Sequence, residues 1–133
     1  MAGAGFIIYS TRDGVIKFLG LVGPQEFQIK HDGIFDIPKG TIEPTEEPLK
    51  AALRELEEEA SIVLPYKKYP FIEYEGLTIY LAQSNEQAKI KPNPESGIIE
   101  HLMALYISPD LLIDQAYDYL RPAISWARDY LLK

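Results

Sequence analysis

The chain has no cysteine among its 133 residues. That excludes disulfides, thiolate zinc sites and cysteine nucleophiles, and it is compatible with a reducing cytoplasm, the compartment expected here. No apolar run approaches the roughly 20 residues that span a membrane, so no membrane partner is expected. The N-terminus has no basic segment followed by a long apolar one, so no signal peptide is expected either. Repeats and low-complexity segments are missing too. Positive charge is scarce: 13 basic side chains face 20 acidic ones, for a net charge of -7. Such a surface repels long nucleic acid at a distance and argues against it as a partner. Free nucleotides carrying a divalent cation are repelled less.

The length fits one domain, residues 1–133, and 47% apolar residues suffice for a core. Gly5–Tyr9 and Val15–Val22 read as paired strands with a turn at Arg12-Asp13-Gly14. Pro24 to Gly33 reads as a polar loop. Tyr69–Glu75 and Leu77–Ala82 form a second hairpin around Gly76. A polar loop from Gln83 to Gly97 precedes a last core strand, His101–Ile107. Ser108-Pro109-Asp110 opens a short helix. A terminal helix from Arg121 to Leu132 carries the apolar stripe Leu120, Ala123, Ile124, Ala127 and Leu131. Strands, a long helix, more strands and a terminal helix predict an α/β fold, a mixed sheet covered by helices on both faces.

The long helix is expected over Thr45 to Ala60, with Thr45 as N-cap, Glu46 and Glu47 favouring the dipole, and Pro48 in the first turn. Leu49, Ala52, Leu53, Leu56 and Ala60 define its buried stripe. At roughly 100° per residue, Glu55, Glu58 and Glu59 fall within an arc of about 100° beside that stripe. Glu46, Lys50 and Glu57 point away from both. Most glutamate runs are solvated faces, and Glu57 fits that description. The other three do not: like charges at these spacings weaken a helix. At about 6 Å and an effective dielectric near 20, each pair costs roughly 2–3 kcal/mol before screening. A hard divalent cation, Mg²⁺ or Mn²⁺, reverses that sign and is commonly shared with substrate phosphates. Just upstream, Phe35-Asp36-Ile37-Pro38-Lys39-Gly40 ends an apolar run in a turn. Lys39 places a cation near the helix entrance, where phosphate would collect.

Gly40, five residues, Glu46, seven residues, then Arg54-Glu55-Leu56-x-Glu58-Glu59-x-x-Ile62 resembles the Nudix box, the signature of the Nudix hydrolases. Six fixed polar or glycine positions coincide by chance on the order of once in ten million windows. The resemblance implies a Nudix-type α/β/α sandwich and hydrolysis of a nucleoside diphosphate linked to another group. It implies that Glu55, Glu58, Glu59 and the Lys39 carbonyl bind the metal, that Arg54 orients the acids, and that Glu46 supports the loop around Gly40. The proton acceptor varies within the family; Glu55, Glu100 and Glu95 are the candidates. Where the family has a helix-ending glycine this chain has Ser61, and a left-handed serine costs roughly 1 kcal/mol.

Pro38-Lys39-Gly40, Glu43-Pro44-x-Glu46, Ile79-Tyr80-x-Ala82 and Glu100-His101 are most similar to the asymmetric diadenosine tetraphosphate hydrolases. That implies ATP and AMP as products, with Lys39, Gly40, Tyr80 and His101 as substrate contacts; Tyr80 stacks on adenine or merely half-buries its ring. His31 is expected to be solvated. A second copy of the chain, as a homodimer, is an admitted partner. The alternatives within the family are RNA 5′-end pyrophosphohydrolysis and cleavage of ADP-ribose, FAD or nucleoside triphosphates. Outside catalysis, the alternative is a nucleotide-binding sensor or interaction domain.

Overall fold

Period-two burial sets the two central strands. In β1 (Gly3–Ser10), Ala4, Phe6 and Ile8 point to one face of the sheet and Ile7 and Tyr9 to the other. In β6 (Leu77–Gln83), Tyr80 and Ala82 share the first face and Ile79 and Leu81 the second. Both strands are apolar on both sides, as central strands covered twice must be. They pair in parallel from Gly3↔Leu77 to Tyr9↔Gln83, the single parallel ladder of a mixed sheet. The structure, a computed structural model, describes residues 2–133.

The other edge of β1 is shared. Its C-terminal end pairs antiparallel with β2 (Lys17–Val22), and its N-terminal end pairs with β4 (Lys39–Thr41). β3 (Phe35–Asp36) meanwhile pairs with the far end of β2. The segment 35–41 is therefore a wedge entering where β1 and β2 splay apart. β5 (Phe71–Tyr74) closes one side of the sheet as a hairpin with β6. Glu75 and Gly76 both take positive φ in its turn, 49° and 79°, which matches the strand twist. β7 (Met103–Ile107) closes the other side against β2.

Helices cover both faces, as the α/β/α expectation requires. α2 (Pro48–Ala60) lies on the face of Phe6, Leu19 and Tyr80. α3 (Pro109–Gln115) and α4 (Arg121–Leu131) cover the face of Ile7, Phe18 and Ile79. Ser108 caps α3 by accepting from the Leu111 N–H at 3.2 Å. No helix among the described residues is long and apolar enough to cross a membrane.

Four expectations change. A six-residue helix, α1 (Gln25–Lys30), occupies the span read as loop; it buries no residue, so no apolar stripe announces it. α2 begins at Pro48, and its N-cap is Glu47, without a side-chain cap bond; Thr45 lies outside it. β7 is an edge strand with Met103 and Leu105 half exposed, and its regular pairing starts two residues later than read. His31 packs against Tyr117 in a tilted contact and Tyr119 edge-on, with ring centroids 5.1 and 5.0 Å away.

Ser61 ends α2 in the left-handed conformation, φ 59° and ψ 29°. Its hydroxyl donates to the Lys89 carbonyl at 3.0 Å, which offsets the strain. Ser61→Ala keeps the Cβ and loses that bond, so urea unfolding should show a loss of about 1 kcal/mol. Ser61→Gly removes bond and strain together and should change stability by clearly less.

Candidate active site

α2 crosses β1 with β4 under one flank and β6 under the other. Its acids lie on the β4 flank. A Cβ at Gly40 would overlap the Glu55 carboxylate, so only glycine lets the strand approach this closely. One residue earlier, the Lys39 N–H donates to Glu59 Oε1 at 3.3 Å. The wedge thus supplies both a gap for Glu55 and a donor for Glu59.

Arg54 ties the acids together. Its Nε and Nη2 donate to the two oxygens of Glu46, each at 2.9 Å, a bidentate pair. Nη1 reaches Glu55 at 2.8 Å and Glu58 at 3.5 Å, and Nη2 also meets the Thr41 carbonyl at 3.1 Å. Glu46 therefore does not point to solvent. Because α2 starts at Pro48, residues 42–47 fold back as a turn: Glu46 accepts from the Glu43 N–H at 3.1 Å and faces Arg54.

The charges do not balance. Glu46, Glu55 and Glu58 surround a single guanidinium, and Glu59 adjoins Glu55 with no cation of its own among its contacts to the described residues. Burial, the adjoining Glu55 carboxyl and the charge of Asp36 all push Glu59 well above the usual carboxylate range. Burial and the Glu55 charge also raise Glu58. Among the described residues no three such side chains already converge as a ready-made metal-ligand set; Arg54 holds their oxygens instead. The donors still fit a hard cation: carboxylate oxygens, crowded, mostly buried and short of positive charge.

Sequence reading missed Asp36. This carboxylate is 8% exposed and accepts from His101 Nε2 at 3.0 Å, while its other oxygen meets Lys39 Nζ at 3.2 Å. The Lys39 ammonium also lies 5.4 Å from the centre of the Tyr119 ring, so it faces the α4 layer and not the glutamates; the Lys39 backbone is the part turned toward them. The signal was a lone acid between Phe35 and Ile37, and its partner His101 is 65 residues away. Nearby, the Tyr117 phenol is buried without a partner among the described residues, and burial pushes it up to about 12.

Glu100 and His101 do reach the site. With Glu58, Glu59, Lys91 and Asn93 they line a cleft of about 10 Å³, the room of a single water. Asn93 donates to Glu100 at 3.1 Å, and Glu95 is close enough for its charge to act on Glu58. Tyr80 is not brought to the acids. It lies on the β6 flank, 9% exposed, against Phe6 and Phe71.

Burial pushes the Asp36 carboxyl up, but the His101 hydrogen bond and the Lys39 charge outweigh it and hold it below its ordinary 3.8. A lowered folded value stabilises the fold above pH 3.8 and loses that contribution as pH falls through the folded value. Chemical unfolding between pH 5 and pH 2 should therefore show a steeper acid loss in the wild type than in Asp36→Asn.

The family model of the NUDIX domain matches residues 2–127. Among solved structures, a binary complex of C. elegans Ap4A hydrolase is similar with a TM-score of 0.71 and 23% identity, covering 98% of each chain. The NUDIX domain of Shewanella oneidensis NrtR, complexed with ADP ribose, has a TM-score of 0.69 and 19% identity over 98% of this chain and 88% of that one. A MutT protein from Methanosarcina mazei Go1 has 0.64 and 16% over 100% and 96%. No curated protein matches the chain. Identities this low speak for the fold, and the family model speaks for the family. With the whole of the Arg54, Glu55, Glu58 and Glu59 set in place, the chain belongs to the Nudix family, as a hydrolase of pyrophosphate bonds.

Proposed function

We propose that the chain hydrolyses diadenosine tetraphosphate to ATP and AMP, using Mg²⁺ or Mn²⁺ held by Glu55, Glu58, Glu59 and the Lys39 carbonyl. The observation that carries the metal assignment is the shortfall of positive charge on the flank of α2: one guanidinium serves Glu46, Glu55 and Glu58, and the buried Glu59 beside Glu55 has, among the described residues, only the Lys39 N–H. The substrate assignment is supported by the Pro38-Lys39-Gly40 and Glu100-His101 matches and by the similarity to an Ap4A hydrolase over the whole chain.

A divalent cation bound there supplies stabilisation for phosphate charge and acidifies an attacking water. The protein's own part is positioning. Arg54 fixes Glu55 through Glu46, so the carboxylate presents its oxygens at one angle. Gly40 leaves the space that Glu55 fills. The Lys39 N–H holds Glu59. Asp36, between Lys39 and His101, pins β3 and the residues before β7 together, and so orders the approach to Glu58 and Glu59. The proton acceptor is Glu55 or, from the loop before β7, Glu100 or Glu95. Because the cleft beside Glu58 and Glu59 has room for only about one water, the 84–102 segment must yield as a polyphosphate enters. In this reading the other partner is a second copy of the chain, at the edge strand β7 where Leu102, Met103 and Leu105 are exposed. The cysteine-free composition suits a cytoplasmic setting.

Two measurements test this. A panel of dinucleoside polyphosphates, ADP-ribose, FAD, nucleoside triphosphates and 5′-triphosphate RNA, with products identified, should give ATP plus AMP from the tetraphosphate at the highest kcat/KM. Glu58→Gln should lose most of that rate with Mg²⁺ present; wild-type turnover in this variant refutes the metal assignment. Gly40→Ala should displace Glu55 and cut kcat by about 100-fold, with circular dichroism unchanged. Near-normal kcat there would mean that Glu55 tolerates the shift and is not a positioned ligand.

A further inference from the structure

A cavity beside α2 lies away from the glutamates. It holds about 610 Å³, within the range of small-molecule sites, and its lining includes Leu49, Tyr66, Lys67, Lys68, Phe71 and Tyr80. We propose that it is a second nucleotide-binding site, taking a free mononucleotide with its base on the rings of Tyr66 and Phe71 and its phosphate on Lys67 and Lys68.

The rings are large, fixed and uncovered. Tyr66 is 57% exposed and Phe71 52% exposed, although aromatic side chains of this size normally bury most of their surface. Phe71 ends a row of rings in edge and tilted contact, Tyr69–Phe6–Tyr80–Phe71, with centroids 5.3, 5.6 and 5.6 Å apart, so its inner side is packed against the core. Tyr66 is held by its hydroxyl, which donates to Glu47 at 2.7 Å. Ordered π-faces on an open cleft suit a planar base whatever its identity.

The charge is of the matching sign. In a chain with 13 basic residues and a net charge of -7, three lysines gather here. Lys50 Nζ lies 5.6 Å from the centre of the Tyr66 ring and Lys67 Nζ 5.6 Å from that of Tyr69, while Lys68 lines the cavity beside them. The acids near the cleft are Glu47, bound by Tyr66, and Glu73 on β5. Lysines over aromatic rings at the mouth of an apolar slot are the pairing that a base joined to a phosphate satisfies and that a purely apolar ligand does not.

The site is separate from the catalytic one. At roughly 100° per residue, Leu49 and Glu58 stand about 180° apart on α2. The cleft lies on the β6 flank and the glutamates on the β4 flank. No catalytic cation is involved, so binding here is independent of which anhydride the enzyme cleaves.

Calorimetric titration with AMP in EDTA tests this. One AMP per chain is expected, with affinity on the order of tenfold weaker in the Lys67→Ser/Lys68→Ser double variant and in Phe71→Ser, and unchanged in Glu58→Gln. Adenosine, lacking the phosphate, should bind about tenfold more weakly than AMP. Both lysines are exposed, so each variant should fold, and circular dichroism is to be compared with that of the wild type. The site is refuted if AMP binding is absent in EDTA, is equal in wild type and the double variant, is lost only in Glu58→Gln, or is matched by adenosine. A ten-residue oligoadenylate binding far more tightly than AMP, through the same lysines, would overturn the free nucleotide in favour of single-stranded nucleic acid.

Discussion

One guanidinium holds three carboxylates, with a fourth, Glu59, beside them, and the geometry of the site follows from how that is arranged. Left alone, Glu55, Glu58 and Glu59 would repel one another and fray the helix that carries them. Arg54 restrains them through a bidentate grip on Glu46 and single bonds to Glu55 and Glu58. Glu46 can take part only because the chain before α2 is a turn instead of another helical turn. The compensation is incomplete, and burial leaves Glu59 favouring its proton. A helix with buried apolar residues such as Ala52 and Leu56 on its inner side can carry this strain, since packing on β1 offsets a repulsion of a few kcal/mol.

The wedge of residues 35–41 connects that tension to the rest of the fold. It enters between β1 and β2, and its side chains meet both layers. Gly40 opens toward Glu55, while Lys39 and Asp36 engage Tyr119 and His101. The two cores on either side of the sheet are thereby tied at the catalytic end by a buried ionic relay instead of by apolar contact. Such a relay fixes geometry more than it adds stability, because its desolvation cost offsets much of its Coulomb gain.

What was legible in the sequence was whatever repeats at short range. Period 3.6 in residues 49–60 separated the buried stripe from the acid flank, and short apolar runs around the turns at Arg12-Asp13-Gly14 and Gly76 found β1, β2 and the β5–β6 hairpin. The motif gave the family, and with it the layered fold. What escaped has no local period. Asp36 finds His101 only after β7 has been laid beside β2, and nothing within ten residues of either names the other. Glu46 was read as solvent-facing because its angle on an ideal helix says so, and the helix starts two residues later. α1 was invisible because it buries nothing. β7 was read as core from its apolar composition, yet an edge strand exposes Met103 and Leu105 however apolar they are.

α2 also divides the surface by sign. Its β4 flank is acidic and attracts a phosphate only once a cation is in place. Its β6 flank, with Lys50, Lys67 and Lys68 over aromatic rings, attracts an anion directly. In a chain of net charge -7, diffusing nucleotides meet a repulsive field nearly everywhere, and a local basic patch is where that field is weakest. Debye screening over about 8 Å at physiological salt keeps the lysines from cancelling the glutamates across the width of the helix. The two flanks can therefore hold opposite charge at once, and in the proposed reading each responds to its own variable: the lysine cleft to salt, the glutamate flank to divalent cation.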